Sequence, residues 1–370
     1  MDLRIWLVAG ATIFASLLLG IFTGSTLVIQ YPDLAYEPIE QSSISSTTPP
    51  LPEIKILPPK IQATTTPKQK NASQQAIPVV KPSPPPPTHP EVTQEDLAAT
   101  AALLRPALIN ILCSASLPLH SISGSGVVIS ANGILITNAH IAQYFLLADD
   151  PSLGVSCVLR AGSPARNAYH AKLAFISPEW ITKNADLLTD SHPVGNGEHD
   201  FALLAITESV TEDPLPASFP ALPLAGDNAY EGEPVSIGSY AAQFLSSREI
   251  QSTLYPTIVF GSVKQLFTFK ESTVDVVSLG GSAAAQEGSS GGAVINAQGG
   301  LRGVITTSTI EGATSARNLS AITASYIRRD YEASMGAPLT SLLALPSAAA
   351  ISSFAPKAIE LGDLLKAHVR

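Results

Sequence analysis

Cysteine is nearly absent. The 370 residues hold two, Cys113 and Cys157, too far apart for a CxxC redox or zinc motif, which excludes a zinc ribbon. In an oxidising compartment the pair can close one disulfide, joining strands on either side of His140; the alternative is two separate buried thiols packed as small apolar groups. Neither lies in a glycine-rich turn that would aim N–H groups at an oxyanion, which argues against a cysteine nucleophile. Positive charge is also scarce. Lys and Arg total 21 against 30 Asp and Glu, for a net charge of -9 and a pI near 5.2. The broad positive field used for non-specific nucleic-acid binding is missing, so no DNA or RNA partner is expected. Aromatics make up only 6%, which with 45% hydrophobic residues is ordinary for a folded chain. The histidines outside position 140, namely His89, His120, His170, His192, His199 and His368, show no HExxH or similar ligand spacing. They read as surface or loop residues, and no metal or other cofactor is expected.

Three regions of different character follow one another. Residues 1–29 contain the uncharged apolar run IWLVAGATIFASLLLGIFTGSTLVI, long enough to span a bilayer as a helix. Its length and the lack of an A-x-A site favour an uncleaved anchor over a cleaved signal peptide or a buried core helix. Arg4 precedes the run while Asp33, Glu37 and Glu40 follow it, which places the bulk of the chain outside the cytoplasm, periplasmic or extracellular. Residues 30–91 are rich in Pro, Ser, Thr, Gln and Lys and lack the periodicity needed to bury a core, so they read as a disordered, semi-rigid linker.

Folded sequence is expected over 92–335. It opens with a short helix capped by Thr93 and ended or kinked at Pro106. Short apolar runs then alternate with Gly, Asn and Pro, among them ALINILC, GSGVVIS, GILITN, FALLAI, PVSIGSY, GAVIN, LRGVITTS and LSAITASYI. Many short strands at this rhythm indicate an all-β fold. Residues 336–370 read as a helical tail of one or two helices broken at Pro346 and Pro356.

Within the β region, three short segments carry chemistry. QEGSSGGAV sets Ser290 in a glycine cluster before a strand. Such a turn can expose a hydroxyl and point the N–H groups of Gly288 and Ser290 at a developing oxyanion. ILITNAHI ends a strand at His140, a candidate general base, and HDFALLAI puts Asp200 at the mouth of an apolar strand, where a carboxylate needs a hydrogen-bonding partner. Asp186 and Asp190, in the stretch before it, are weaker rivals.

Together, SGSGVVISANGILITNAHI, HDFALLAI and EGSSGGAVINAQGGLRGVITTS resemble the histidine, aspartate and serine segments of trypsin-like serine proteases, especially the HtrA (Deg) branch. The resemblance extends over Leu104 to Ile327. It implies a chymotrypsin-like double β-barrel and a serine endopeptidase acting through a His140, Asp200, Ser290 triad and an acyl-enzyme, with protein or peptide substrates. It further implies that the floor of the specificity pocket falls at Ala284 beside Ala285, with no charge to receive Lys or Arg. Small or apolar side chains are therefore expected before the cleaved bond. The pattern departs from the family in places. The stretch from Pro178 to Glu198 is longer than usual, Ser289 replaces the aspartate that pairs with a new amino terminus in digestive enzymes, and the tail is too short and too helical for a PDZ module. The competing reading is a catalytically silent barrel, tethered to a membrane and kept for binding.

Overall fold

The computed structural model describes residues 91–190, 195–270, 272–308 and 313–369. The apolar run and the linker, Glu91 apart, lie outside them. Among the described residues no helix is long and apolar enough to cross a membrane.

Thr93 caps the first helix, α1 (Gln94–Ala107): its hydroxyl accepts from the Asp96 N–H, and the Asp96 carboxylate accepts from the Thr93 N–H. That reciprocal pair satisfies two donors left free by helix geometry. The helix continues through Pro106, where the sequence suggested an end or kink. A proline in the final turn removes a single backbone bond, and Leu104 and Ala107 remain fully buried on either side of it.

Six antiparallel strands close into a barrel in the order β1 (Leu108–Ser114), β2 (Ile122–Ser130), β3 (Ile134–Thr137), β6 (Ala202–Ser209), β5 (Arg166–Ile176) and β4 (Ser156–Ala161). Ile111, Leu135, Leu159 and Leu204 share its inner face, all fully buried. Strand β1 faces β4 with Cys113 opposite Cys157, and the two sulfurs form a disulfide. Strand β3 pairs with β6 so that Thr137 meets Ala202. The chain leaving β3 toward His140 and the chain entering β6 from Asp200 therefore lie side by side.

The second half is a seven-stranded antiparallel sheet, β8 (Thr257–Ser262), β7 (Pro234–Ser239), β11 (Ala293–Asn296), β12 (Leu301–Ser308), β13 (Leu319–Thr323), β10 (Val276–Gly280) and β9 (Gln265–Phe267). It stays open, so the two expected barrels are one closed barrel and one half-barrel. Closure needs edge strands long enough to pair at the required tilt; β9 has three residues, and the edges expose Phe260 and Phe267. In LSAITASYI only the first five residues are strand; the remainder opens a helix.

Four helices complete the elements that position the site: α2 (Ala139–Leu147), α3 (Pro178–Asn184), α4 (Ser247–Thr253) and α5 (Ala324–Met335). The tail adds α6 (Leu339–Leu343) and α7 (Ser347–Val369). Pro346 precedes α7, but Pro356 does not break it. Ala350, Phe354, Leu361 and Leu365 lie on one buried face of α7 against β5 and α2, and that packing outweighs an interior proline costing about 3 kcal/mol. The Phe354 ring centroid stands 5.5 Å from that of Phe175. Gly362 lets the helix come close: a Cβ there would lie 3.1 Å from the Leu146 carbonyl oxygen.

Candidate active site

His140 is the second residue of α2, and Asp200 reaches it from the loop before β6. The His140 Nδ1 lies 2.8 Å from Asp200 Oδ2, and the His140 backbone N–H donates to Oδ1 at 3.0 Å. Thr306 in β12 donates to Oδ2 at 2.6 Å, so the carboxylate is gripped from both halves of the molecule. Asn138 holds the backbone by donating from Nδ2 to the Asp200 carbonyl at 2.9 Å. Burial works to raise the Asp200 pKa, but the His140 charge and the bonds from His140 and Thr306 outweigh it and hold the carboxyl below its ordinary value. Asp186 and Asp190 are exposed, and Asp200 is the carboxylate brought to His140.

Ser290 arrives from the second half. Its carbonyl accepts from the Ser125 N–H of β2 at 2.8 Å, and the next N–H, of Gly291, donates to Ile305 O at 2.8 Å, one residue before Thr306. A Cβ on Gly291 would sit 1.9 Å from Ser125 O and 2.4 Å from Thr137 Oγ1, so only glycine lets the turn pass so close to the end of β3. Ser289 is 1% exposed with its hydroxyl accepting from Ser239 Oγ, whereas Ser290 is half-buried. The side chain of His140 bonds to Asp200. Among the described residues no hydrogen bond joins its Nε2 to Ser290 Oγ.

The turn between them is held in one orientation. The Glu287 carbonyl accepts from Ala242 N–H at 2.8 Å, which turns the N–H of Gly288, on the opposite side of that trans peptide, the other way. Gly288 has φ 86°, and its own carbonyl accepts from Ser125 Oγ at 2.7 Å. Among the described residues neither Gly288 N–H nor Ser290 N–H donates to another protein atom. Two amides are thus free at a turn whose following strand, β11, runs into the core.

Residues 124–304 match the family of the trypsin-like peptidase domain. The chain carries a trypsin-like peptidase domain. Among solved structures, the active form of the Rv3671c protease from M. tuberculosis is 19% identical, covering 70% of this chain and 95% of its own, with a TM-score of 0.42. A serine endoprotease from Yersinia pestis is 18% identical, with 65% and 66% covered and a TM-score of 0.41. No curated protein matches the sequence.

Ala284 and Ala285 of the peptidase domain are both fully buried. Against them stands a charge absent from the sequence-based expectation: Arg317, 5% exposed, donates from Nη1 to Ala285 O at 2.7 Å and to Gln243 Oε1 at 2.5 Å. Only the tertiary fold brings it there, from a loop more than thirty residues on.

Ser125 and Thr306 were also missed by sequence reasoning. Nothing local marks them, since each acts on a residue more than a hundred positions away. His199 lies in a loop, as read for the spare histidines, but is not at the surface. It is 6% exposed, although His120, His170 and His368 are exposed, and His89 and His192 lie outside the described residues. A buried imidazole next to Asp200 needs partners, and α5 and α3 supply them. Among the described residues no group of three or more His, Cys, Asp and Glu could hold a metal ion.

Proposed function

We propose that this domain is a serine endopeptidase with Ser290 as nucleophile, His140 as general base and Asp200 as the group orienting the imidazole. As Ser290 Oγ bonds to the carbonyl carbon of a peptide, its proton passes to His140 Nε2. The oxyanion is met by the N–H groups of Gly288 and Ser290, the C–N bond breaks, and His140 returns the proton to the departing amine. Water then attacks the acyl-enzyme through the same base. The observation that carries this reading is the doubly fixed Asp200 carboxylate, 2.8 Å from Nδ1 of a histidine three residues past Thr137, the end of β3 that the serine turn touches.

Loss of hydrolysis in Ser290→Ala, by about three to six orders of magnitude, is the expected result with an unfolded protein substrate. Hydrolysis persisting at the wild-type rate in purified Ser290→Ala would exclude the assignment. The silent-barrel reading draws on the missing bond between Ser290 Oγ and His140 Nε2. Catalytic hydrogen bonds are, however, often long before substrate is bound.

The residue before the cleaved bond is proposed to be small or apolar, because Ala284 and Ala285 offer no carboxylate to receive a cation. A peptide library cleaved mainly after Lys or Arg would contradict this. Residues 1–29 are proposed to anchor the chain in a membrane, with the peptidase domain on the extracytoplasmic side. The uncharged run from position 5 to 29 and the Cys113–Cys157 disulfide, a bond of oxidising compartments, support that reading. Protease protection of the domain in sealed vesicles of known orientation tests it.

A further inference from the structure

Non-glycine residues seldom take positive φ, and among the described residues only His199, at 61°, and Ser272, at 73°, do so. His199 immediately precedes Asp200, and its conformation is held from three sides. Its N–H donates to the Tyr326 hydroxyl at 3.0 Å, and Nδ1 lies 2.8 and 2.9 Å from the two carboxylate oxygens of Asp330, both on α5. On the other edge of the ring, Nε2 stands 3.3 Å from Glu179 Oε2 of α3 and 3.7 Å from Glu198 Oε1 of its own loop. With Nδ1 hydrogen-bonded to one carboxylate and Nε2 within ion-pair distance of two more, the anionic surround favours the imidazolium.

The charges around it are mixed in sign, with the carboxylates nearest the ring. Asp330 and Tyr326 face it from α5. Glu179 faces it from α3 with Lys183 paired to that carboxylate, Glu198 and Asp200 come from its own loop, and Lys357 of α7 lines the same cavity of about 360 Å³; Lys270 acts on Glu179. Burial pushes the His199 pKa down, yet the hydrogen bond its ring donates to Asp330 and the charges of Asp330, Glu179 and Glu198 outweigh it and hold the pKa above its ordinary value.

The turn beyond is short. Asp200 N–H donates to Gly197 O at 3.2 Å and Phe201 N–H to His199 O at 2.9 Å. Gly197, at φ 85°, lies against Thr306, where a Cβ would come within 2.8 Å of Thr306 Cγ2. Rotating His199 out of its left-handed conformation would swing the peptide joining it to Asp200, and with it the carboxylate that Thr306 and His140 share.

We propose that His199 is a positioning residue: clamped as a cation between Asp330, Glu179 and Glu198, it holds the left-handed turn that aims Asp200 at His140, and loss of its charge slackens that aim. This rests on the triad reading above. The sign follows from linkage. A pKa raised by folding gives a contribution fully present below about 6.5, the ordinary value, and lost as pH rises through the folded value. Turnover therefore falls on the alkaline side. Asp330→Asn removes the nearest anion, lowers the His199 pKa and moves that fall to lower pH.

The test is kcat and KM against pH for the full chain as wild type, Asp330→Asn and His199→Asn; asparagine tolerates the left-handed turn and can bond Asp330 but carries no charge. Expected are an alkaline limb in kcat shifted to lower pH in Asp330→Asn at unchanged KM, and in His199→Asn a kcat about tenfold lower, equal to ~1.4 kcal/mol in the barrier, without that limb. Superimposable wild-type and Asp330→Asn profiles would overturn the proposal. A second arm needs neither turnover nor a clamp variant. In Ser290→Ala protein, the downfield NMR resonance of the His140 Nδ1–H bonded to Asp200 should weaken in step with deprotonation of the His199 ring. A resonance indifferent to that titration would equally reject the clamp. Failure of the triad reading is seen separately, as hydrolysis surviving in Ser290→Ala.

Discussion

The Ser125 hydroxyl donates to the Gly288 carbonyl at 2.7 Å and accepts from the Tyr240 N–H at 2.8 Å. One fully buried side chain of the closed barrel thus fixes both the serine turn and the end of β7 in the half-barrel, and its own N–H holds the Ser290 carbonyl. The two halves meet at the site through this residue, because buried carbonyls and N–H groups there must find partners.

Ser125→Ala leaves the Gly288 carbonyl and the Tyr240 N–H without that partner. An unsatisfied buried group costs roughly 1–3 kcal/mol, so a lower unfolding midpoint is expected in calorimetry, with kcat reduced about tenfold or more as the turn loosens. Gly291→Ala should be worse, since its Cβ would overlap Ser125 O in a backbone conformation that favours glycine. An unchanged kcat in Ser125→Ala would mean the turn is held by other contacts.

Acid should weaken the fold through Asp200. Its folded pKa lies below the ordinary 3.8, so its contribution to stability is present above about pH 4 and lost as pH falls through the folded value. Denaturant titrations of wild type and Asp200→Asn should therefore converge at low pH and separate at neutral pH. The same variant should lose about four orders of magnitude in kcat through the wrong imidazole tautomer. Parallel curves across the whole range would show that Asp200 carries no folding-linked proton.

Reduction of the Cys113–Cys157 bond opens a loop with a sequence separation of 44 that contains His140. The chain-entropy relation puts its closure at about 4 kcal/mol. The double variant Cys113→Ala, Cys157→Ala is expected to unfold at lower denaturant yet to keep its turnover below the transition. Equal midpoints would assign the pair no part in stability.

The C-terminal helix is expected to behave as part of the fold. Phe354 is 1% exposed against Phe175, and Phe354→Ala should destabilise by roughly 3–5 kcal/mol. Thermal denaturation of the full chain reads this directly, and an unshifted midpoint would mean that α7 leaves the barrel in solution.

Much of this arrangement was legible in local sequence. Ser290 among glycines, His140 just after an apolar strand and Asp200 just before another are features of a few neighbouring residues, and strand alternation marks most elements, although the strand before His140 ends at Thr137 and the histidine itself opens a helix. What stayed hidden depends on distant partners. Thr306 reaches Asp200 across 106 positions and Ser125 reaches Gly288 across 163, and no local pattern distinguishes either from other β-strand Ser and Thr. The pairing of Cys113 with Cys157 follows from the register of β1 on β4, which two cysteines alone do not reveal. His199 looked like a surface group because its burial is set by α3 and α5, and Pro356 looked like a helix end because its cost is local while the compensating packing of Phe354 and Leu361 is tertiary.

The central claim is that Ser290 is the group made nucleophilic by His140. Mass spectrometry of the protein after exposure to a fluorophosphonate tests it most directly. A single covalent adduct is expected on Ser290, absent from Ser290→Ala and strongly slowed in His140→Ala, with Ser289 unmodified. An adduct on another serine, or labelling at Ser290 unaffected by the loss of His140, would contradict it.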